Sequence, residues 1–203
     1  MLGSQFKIVS AAVLAIAATA SPAVAQKADN YTVDLGALND SGVTGKAQLQ
    51  FTDGRFIRVI INARGLEPGG VHLGHIHGWV ANGTAVDSQC PTTAADRDGD
   101  GFVELAEGVP SYGDILIPLG NVDPDGDGRV NYHRTIDLTT TRYGDGATAQ
   151  QITPLDFRAI VLHGLTVPQG PGAGTTGEVD GTNGYLNVLP VACGEIAPVG
   201  GGR

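Results

Sequence analysis

Positive charge is scarce in this chain: 12 lysines and arginines stand against 21 aspartates and glutamates, a formal net charge of −9. That balance argues against nucleic acid and against anionic membrane surfaces as partners. Long hydrophobic runs are missing beyond the N-terminus. No later segment approaches the ~20 apolar residues a membrane-spanning helix needs. Amphipathic helical patterning is absent as well, which disfavours helical bundles and alternating α/β folds. Cysteine is limited to Cys90 and Cys193. What is plentiful is turn chemistry, with 31 glycines and 11 prolines.

The first 25 residues read as an export signal. Lys7 gives a short positive start, Ile8 to Ala20 is apolar, and Ala23-Val24-Ala25 fits the small-x-small cleavage rule. Cleavage near Ala25 implies a secreted, periplasmic or cell-envelope location. It removes one lysine and no acids, moving the formal charge from −9 to −10. In such a compartment thiols oxidise, so a Cys90–Cys193 disulfide is expected. It would close a loop of roughly 100 residues, for which chain entropy gives about 4.7 kcal/mol. Two buried thiols are the alternative.

The remaining chain suits one domain over residues 26–196, opening with a loose lead at 26–30 and followed by a flexible tail at 197–203. Eight segments carry strand signals: Tyr31 to Leu38, Val43 to Phe51, Arg55 to Ala63, Gly70 to Val80, Asp114 to Leu119, Arg129 to Leu138, Phe157 to His163, and Tyr185 to Ala192. The third is the clearest, with Ile57, Val59, Ile61 and Ala63 on one face after an Asp53-Gly54 hairpin turn. The expected fold is all-β, an antiparallel Greek-key sandwich or barrel of about eight strands. Long connections at 81–113, 139–156 and 164–184 are of a length that usually carries function.

Two patterns speak of metal. In Val71-His72-Leu73-Gly74-His75-Ile76-His77-Gly78, His75 and His77 lie two apart and share one face of an extended strand. His163 ends the apolar run Ala159-Ile160-Val161-Leu162. If the two strands are neighbours, three imidazoles converge, a donor set suited to copper or zinc. Separately, Asp96 to Glu107 follows the twelve-residue calcium loop. Asp96, Asp98 and Asp100 stand at positions 1, 3 and 5, Gly101 at the sharp turn, the Phe102 carbonyl at 7, Glu104 at 9 and Glu107 at 12. Gly108 and Pro110 are expected to cut off an exit helix. The stretch Asp123 to Gly128 repeats the motif's beginning, but Arg134 stands at its twelfth position, so a strand-connecting turn is the better reading. His133, on the Arg129 to Leu138 strand, would be a ligand only if that strand came near the others.

These residues, taken in order, resemble the copper/zinc superoxide dismutases. The chain matches their His-x-x-His-x-His strand at 72–77, their Arg-to-His strand at Arg158–His163, and their Ala-Cys-Gly-x-Ile end at Ala192–Ile196. Gly113-Asp114 and Gly120-Asn121-Val122 echo a further segment. The chain equally resembles the related bacterial extracellular CHRD-type domains. The resemblance implies that His75, His77 and His163 ligate copper and that His72 orients the site by bonding backbone. It also implies a Cys90–Cys193 pairing.

Departures from the family are as informative. No histidine lies between His77 and His133, so the family's bridging and zinc-binding histidines are missing and its zinc site is not expected. The family's docking arginine aligns with Pro190, and its acidic loop is replaced by the run Gly170 to Gly184. The expected function is therefore an exported copper-binding protein with a calcium loop and no assigned catalytic residue. An active copper-dependent superoxide dismutase is the first alternative, and a structural cell-envelope module the second.

Overall fold

The computed structural model describes residues 28–123, 125–139, 149–168 and 184–200. The export signal, most of the Gly170 to Gly184 run and residues 201–203 lie outside them.

The fold is all-β and antiparallel. Eight long strands occupy the expected places: β1 Ala28–Ala37, β2 Thr44–Thr52, β3 Phe56–Arg64, β4 Leu73–Ala81, β6 Asp114–Asn121, β7 Arg129–Asp137, β8 Ala159–Val167 and β9 Gly184–Glu195. Two short strands join them, β5 Thr84–Val86 and β10 Ala197–Pro198. Main-chain ladders run in the order β5-β4-β8-β9-β1-β2-β3-β7, with β6 on β4 and β10 on β1.

Alternation sets which face is inside. In β3 the side chains of Ile57, Val59 and Ile61 are wholly buried, while Arg58, Asn62 and Arg64 face solvent. The β2–β3 turn places Asp53 (φ 56°) and Gly54 (φ 64°) in the left-handed region, and Arg55 N–H closes it on the Thr52 carbonyl. The largest apolar cluster gathers residues from β1 to β4 and β6 to β9, so the sheet wraps around one main core as a sandwich, with two smaller clusters beside it. Between β6 and β7 no main-chain ladder forms among the described residues. Side chains stitch the gap instead: Tyr132 Oη donates to the Leu119 carbonyl and Arg134 Nη1 to the Pro118 carbonyl, each at 2.9 Å.

Four expectations need correction. The lead at 26–30 is ordered from Ala28, because β1 pairs with β2 from Ala28 opposite Thr52. The tail does not start at Ala197: β10 pairs with Tyr31 and Thr32 of β1, and Val199 N–H reaches the Asn30 carbonyl. The 81–113 connection, expected to hold no strand, carries the short β5, along with a 3-10 turn at Thr93–Ala95 and a helix, α1, at Leu105–Tyr112. Finally, Gly108 and Pro110 do not prevent that helix. Pro110 forfeits only one internal hydrogen bond, and the ends are held by Gly108 N–H to Glu104 O and Gly113 N–H to Val109 O, both 2.8 Å. The burial of Glu107 and Tyr112 anchors it.

A second helical turn, α2 at Ala149–Ile152, supplies carbonyls to Arg158. This guanidinium is fully buried and donates to the carbonyls of Ile152, Gln151, Trp79, Val86 and Phe157. Burial lowers its pKa to about 10, countered by Asp87 and Asp156. Five carbonyls, from β4, β5, α2 and the turn that leads into β8, are thereby tied together. Cys90 and Cys193 form a disulfide across a sequence separation of 103, fixing the start of the 81–113 connection to β9.

Candidate metal centre

β4 and β8 are neighbours, with His75 opposite Val161 and Gly74 opposite Leu162. Register shifts flank the histidines: between Gly74 and His75 and between Ile76 and His77 in the β4–β6 ladder, and on both sides of His163 in β8–β9. Such irregularities re-aim side chains out of strict alternation. Here they bring His75, His77 and His163 together, each offering a ring nitrogen within 4.8 Å of the others'. Ring centroids are separated by 4.8 Å (His75–His163), 5.4 Å (His75–His77) and 5.9 Å (His77–His163).

Backbone carbonyls decide which nitrogens are free. His77 Nδ1 donates to the Gly113 carbonyl at 2.9 Å and His163 Nδ1 donates to the Val188 carbonyl at 2.8 Å. A carbonyl only accepts, so both rings carry their proton on Nδ1 and turn an Nε2 lone pair inward. His77 Nε2 is buried and meets no hydrogen-bond partner. His163 Nε2 lies 3.1 Å from His75 Nδ1. Because His163 carries its proton on Nδ1, His75 Nδ1–H donates in this contact, and a metal ion held by both nitrogens would require the His75 ring to carry its proton on Nε2 instead.

The electrostatics agree with three neutral rings. Burial pulls His75 down to about 4. It pulls His77 to about 3, opposed by the Gly113 bond and reinforced by His75. His163 is held well below the ordinary histidine value by burial, then by repulsion from the other two. Neutral imidazoles are the ligating form. The set Nδ1 of His75 with Nε2 of His77 and His163 fits one transition-metal ion; three imidazoles suit copper, zinc, iron or nickel alike.

His72 stands apart. It is fully buried, with Nε2 2.8 Å from the Glu67 carbonyl and Nδ1 3.0 Å from the carbonyl of His163. Its ring faces backbone rather than the cluster, and through it the His163 peptide is held in place. His133 is exposed on β7, opposite Ile60, and does not belong to the cluster. Pro190 lies directly across from His163, so the position the resemblance gives to a docking arginine holds a residue without a side-chain donor.

The acidic loop is folded by its own amides. Asp96 accepts from Gly99 and Gly101 N–H, Asp98 from Asp100 N–H, and Asp100 from Phe102 N–H. Gly99 and Gly101 take φ of 79° and 96°, which the tight turn requires. Asp96, Asp98 and Glu107 bring a carboxylate oxygen each to within 4.8 Å of one another. Asp100, Phe102 and Glu104 are not in that triad; Glu104 is fully buried at the start of α1. Glu107, only 5% exposed, accepts Arg97 N–H on Oε1, while Oε2 is buried with no hydrogen-bond partner. Hard oxygens in this arrangement suit a cation such as calcium.

Sequence reasoning missed Tyr112. It is fully buried with its ring 4.5 Å from that of His77, at 63°. Burial raises the pKa of its hydroxyl, which stays protonated. No spacing motif marks it; the only hint was an aromatic residue just before Gly113-Asp114. No family model matches the chain, and no curated protein matches it.

Proposed function

We propose that this protein is an exported copper-binding protein, holding the ion through His75 Nδ1, His77 Nε2 and His163 Nε2, with a calcium ion braced by Asp96, Asp98 and Glu107. The observation that carries the copper reading is the buried, unpartnered Nε2 of His77 beside two other ring nitrogens, all three rings neutral. The sequence resemblance selects copper among the metals that three imidazoles accept. The disulfide fits the oxidising compartment implied by the N-terminal signal.

Copper, when bound, supplies one-electron redox chemistry. The chain's own residues orient it: Gly113 and Val188 carbonyls fix two tautomers, His72 holds the His163 backbone, and Tyr112 covers one flank of His77. His75 is the only partly exposed member of the three, so solvent reaches the cluster on its side. That opening favours, as a second reading, turnover of superoxide at copper. Two features weigh against efficient turnover: the sequence has no histidine between His77 and His133 to serve as the bridging proton donor, and Pro190 offers no cation to draw the anion in.

Metal analysis and electron paramagnetic resonance of the purified, copper-loaded protein test the reading. One copper(II) per chain with nitrogen coupling is expected, and its loss in a His75→Ala, His77→Ala double variant. The same stoichiometry and spectrum in that variant would exclude the site. Superoxide decay compared in the same two proteins separates turnover from binding. Millimolar calcium should raise the melting temperature of the native protein but not of Asp96→Ala or Glu107→Ala; an equal rise in all three would place calcium elsewhere.

A further inference from the structure

Helix α1 touches both candidate sites. Its first turn supplies Glu107 to the acidic triad. Its last residue, Tyr112, packs on His77, and the Gly113 that ends it provides the carbonyl that holds His77 Nδ1–H. We propose that cation occupancy of the Asp96–Asp98–Glu107 triad sets the metal affinity of the three-histidine site, with α1 as the connector and Tyr112 and Gly113 as positioning residues. This inference rests on the metal-binding readings above and adds their coupling.

Consider first the cation end. The buried Oε2 of Glu107 has no donor, and two more carboxylates stand beside it. A buried carboxylate oxygen without a donor is left with its desolvation unrepaid, and like charges add to that cost. A bound cation removes both costs. Without it, the triad is driven to open and rehydrate, and Glu107 moves outward with the first turn of α1.

The helix has no slack to absorb that movement. Eight residues make a rod about 12 Å long. The Tyr112 ring lies back along it: its hydroxyl donates to the Leu105 carbonyl at 3.4 Å, and a Cβ added to Gly108 would collide with the ring. One aromatic ring thus spans from the first turn to His77. At the other end Gly113 has φ 84°, and a Cβ there would overlap the Gly78 backbone of β4. Trp79 Nε1–H adds a bond to the Pro110 carbonyl at 3.2 Å. The helix terminus is wedged against the strand that carries His75 and His77.

Two discrete arrangements follow. With the triad closed, α1 is seated, His77 keeps its proton on Nδ1, and Nε2 points into the cluster. With the triad open, α1 shifts, the Gly113 bond and the Tyr112 contact loosen, and the histidine site loses its best-fixed ligand. Coupling of this kind is reciprocal, so metal at the histidines tightens cation binding by the same factor.

The test measures copper(II) affinity of the signal-free protein by competition with a chromophoric chelator, in calcium-free buffer and in millimolar calcium. Calcium binding is measured by calorimetry with and without copper. Calcium should tighten copper binding about tenfold, within the usual coupling range of about 5- to 150-fold, and copper should tighten calcium equally. Trp79, the single tryptophan, should change its fluorescence on calcium addition to the copper-free protein, because it bonds α1 directly. Glu107→Gln should bind copper with the calcium-free affinity and ignore calcium. Tyr112→Leu should bind both ions with the coupling reduced towards onefold, and Tyr112→Phe should retain it. If a variant fails to fold, the two titrations of the native protein decide alone. Calcium heat with unchanged copper affinity overturns the coupling and leaves both metal sites standing. No calcium heat removes the loop site, and the coupling with it.

Discussion

Lowering the pH of the metal-free protein should destabilise it steeply below the ordinary histidine pKa. His75 and His77 titrate at about 4 and about 3 in the folded chain, because burial disfavours their charged forms. In the unfolded chain they titrate near 6.5. Between those limits the unfolded state binds more protons, so stability is full above about pH 6.5 and falls as pH drops towards the folded values. Each ring costs about 1.4 kcal/mol per pH unit, hence about 2 kcal/mol at pH 5 and about 4 kcal/mol for the pair. His163 shifts the same way and adds to the slope. Against a typical domain stability of about 5–15 kcal/mol, that loss is large. Urea unfolding midpoints from pH 7 to pH 4.5 measure it. A flat profile, or an equal slope in the His75→Ala, His77→Ala variant, would show that the rings are not buried and neutral.

Other perturbations have defined outcomes. Replacing Cys90 and Cys193 with serine should cost roughly 2–5 kcal/mol in urea unfolding, since the bond closes a long loop. Arg158→Met should cost about 3 kcal/mol or more by the same measurement, because the carbonyls of Ile152, Trp79 and Val86 lose their donor in a dry interior. Arg158→Lys should recover little of it, as one ammonium cannot reach carbonyls held by a planar fork. Gly113→Ala should lower the melting temperature by several degrees and weaken copper binding together, as its Cβ meets the Gly78 backbone.

The strands that face the core on one side only were readable from the chain. β3 alternates strictly, so its bounds shift by a single residue from those expected. β8 was harder: Ala159 to Gly164 are buried without interruption, and no alternation told which way His163 would turn. The bulges that aim it depend on its partner strands. The meeting of His163 with the 75–77 pair came from the family resemblance and an assumed strand neighbourhood, and β4–β8 pairing supplies that neighbourhood. Helix α1 was hidden because Gly108 and Pro110 oppose it locally; tertiary burial of Glu107 and Tyr112 overrides that preference. Strand β10 is two residues long, too short for periodicity to register.

The stitched gap between β6 and β7 has a mechanical consequence. Two side-chain bonds there do the work that a whole ladder does elsewhere, so thermal breathing will readily part the sandwich along that line. Amide protons on the flank of β7 that carries no ladder among the described residues will exchange early, whereas β4 and β8, laddered on both sides, will be among the last to yield. The molecule can therefore flex at one edge while the three imidazoles stay in register, and unravelling will reach them late.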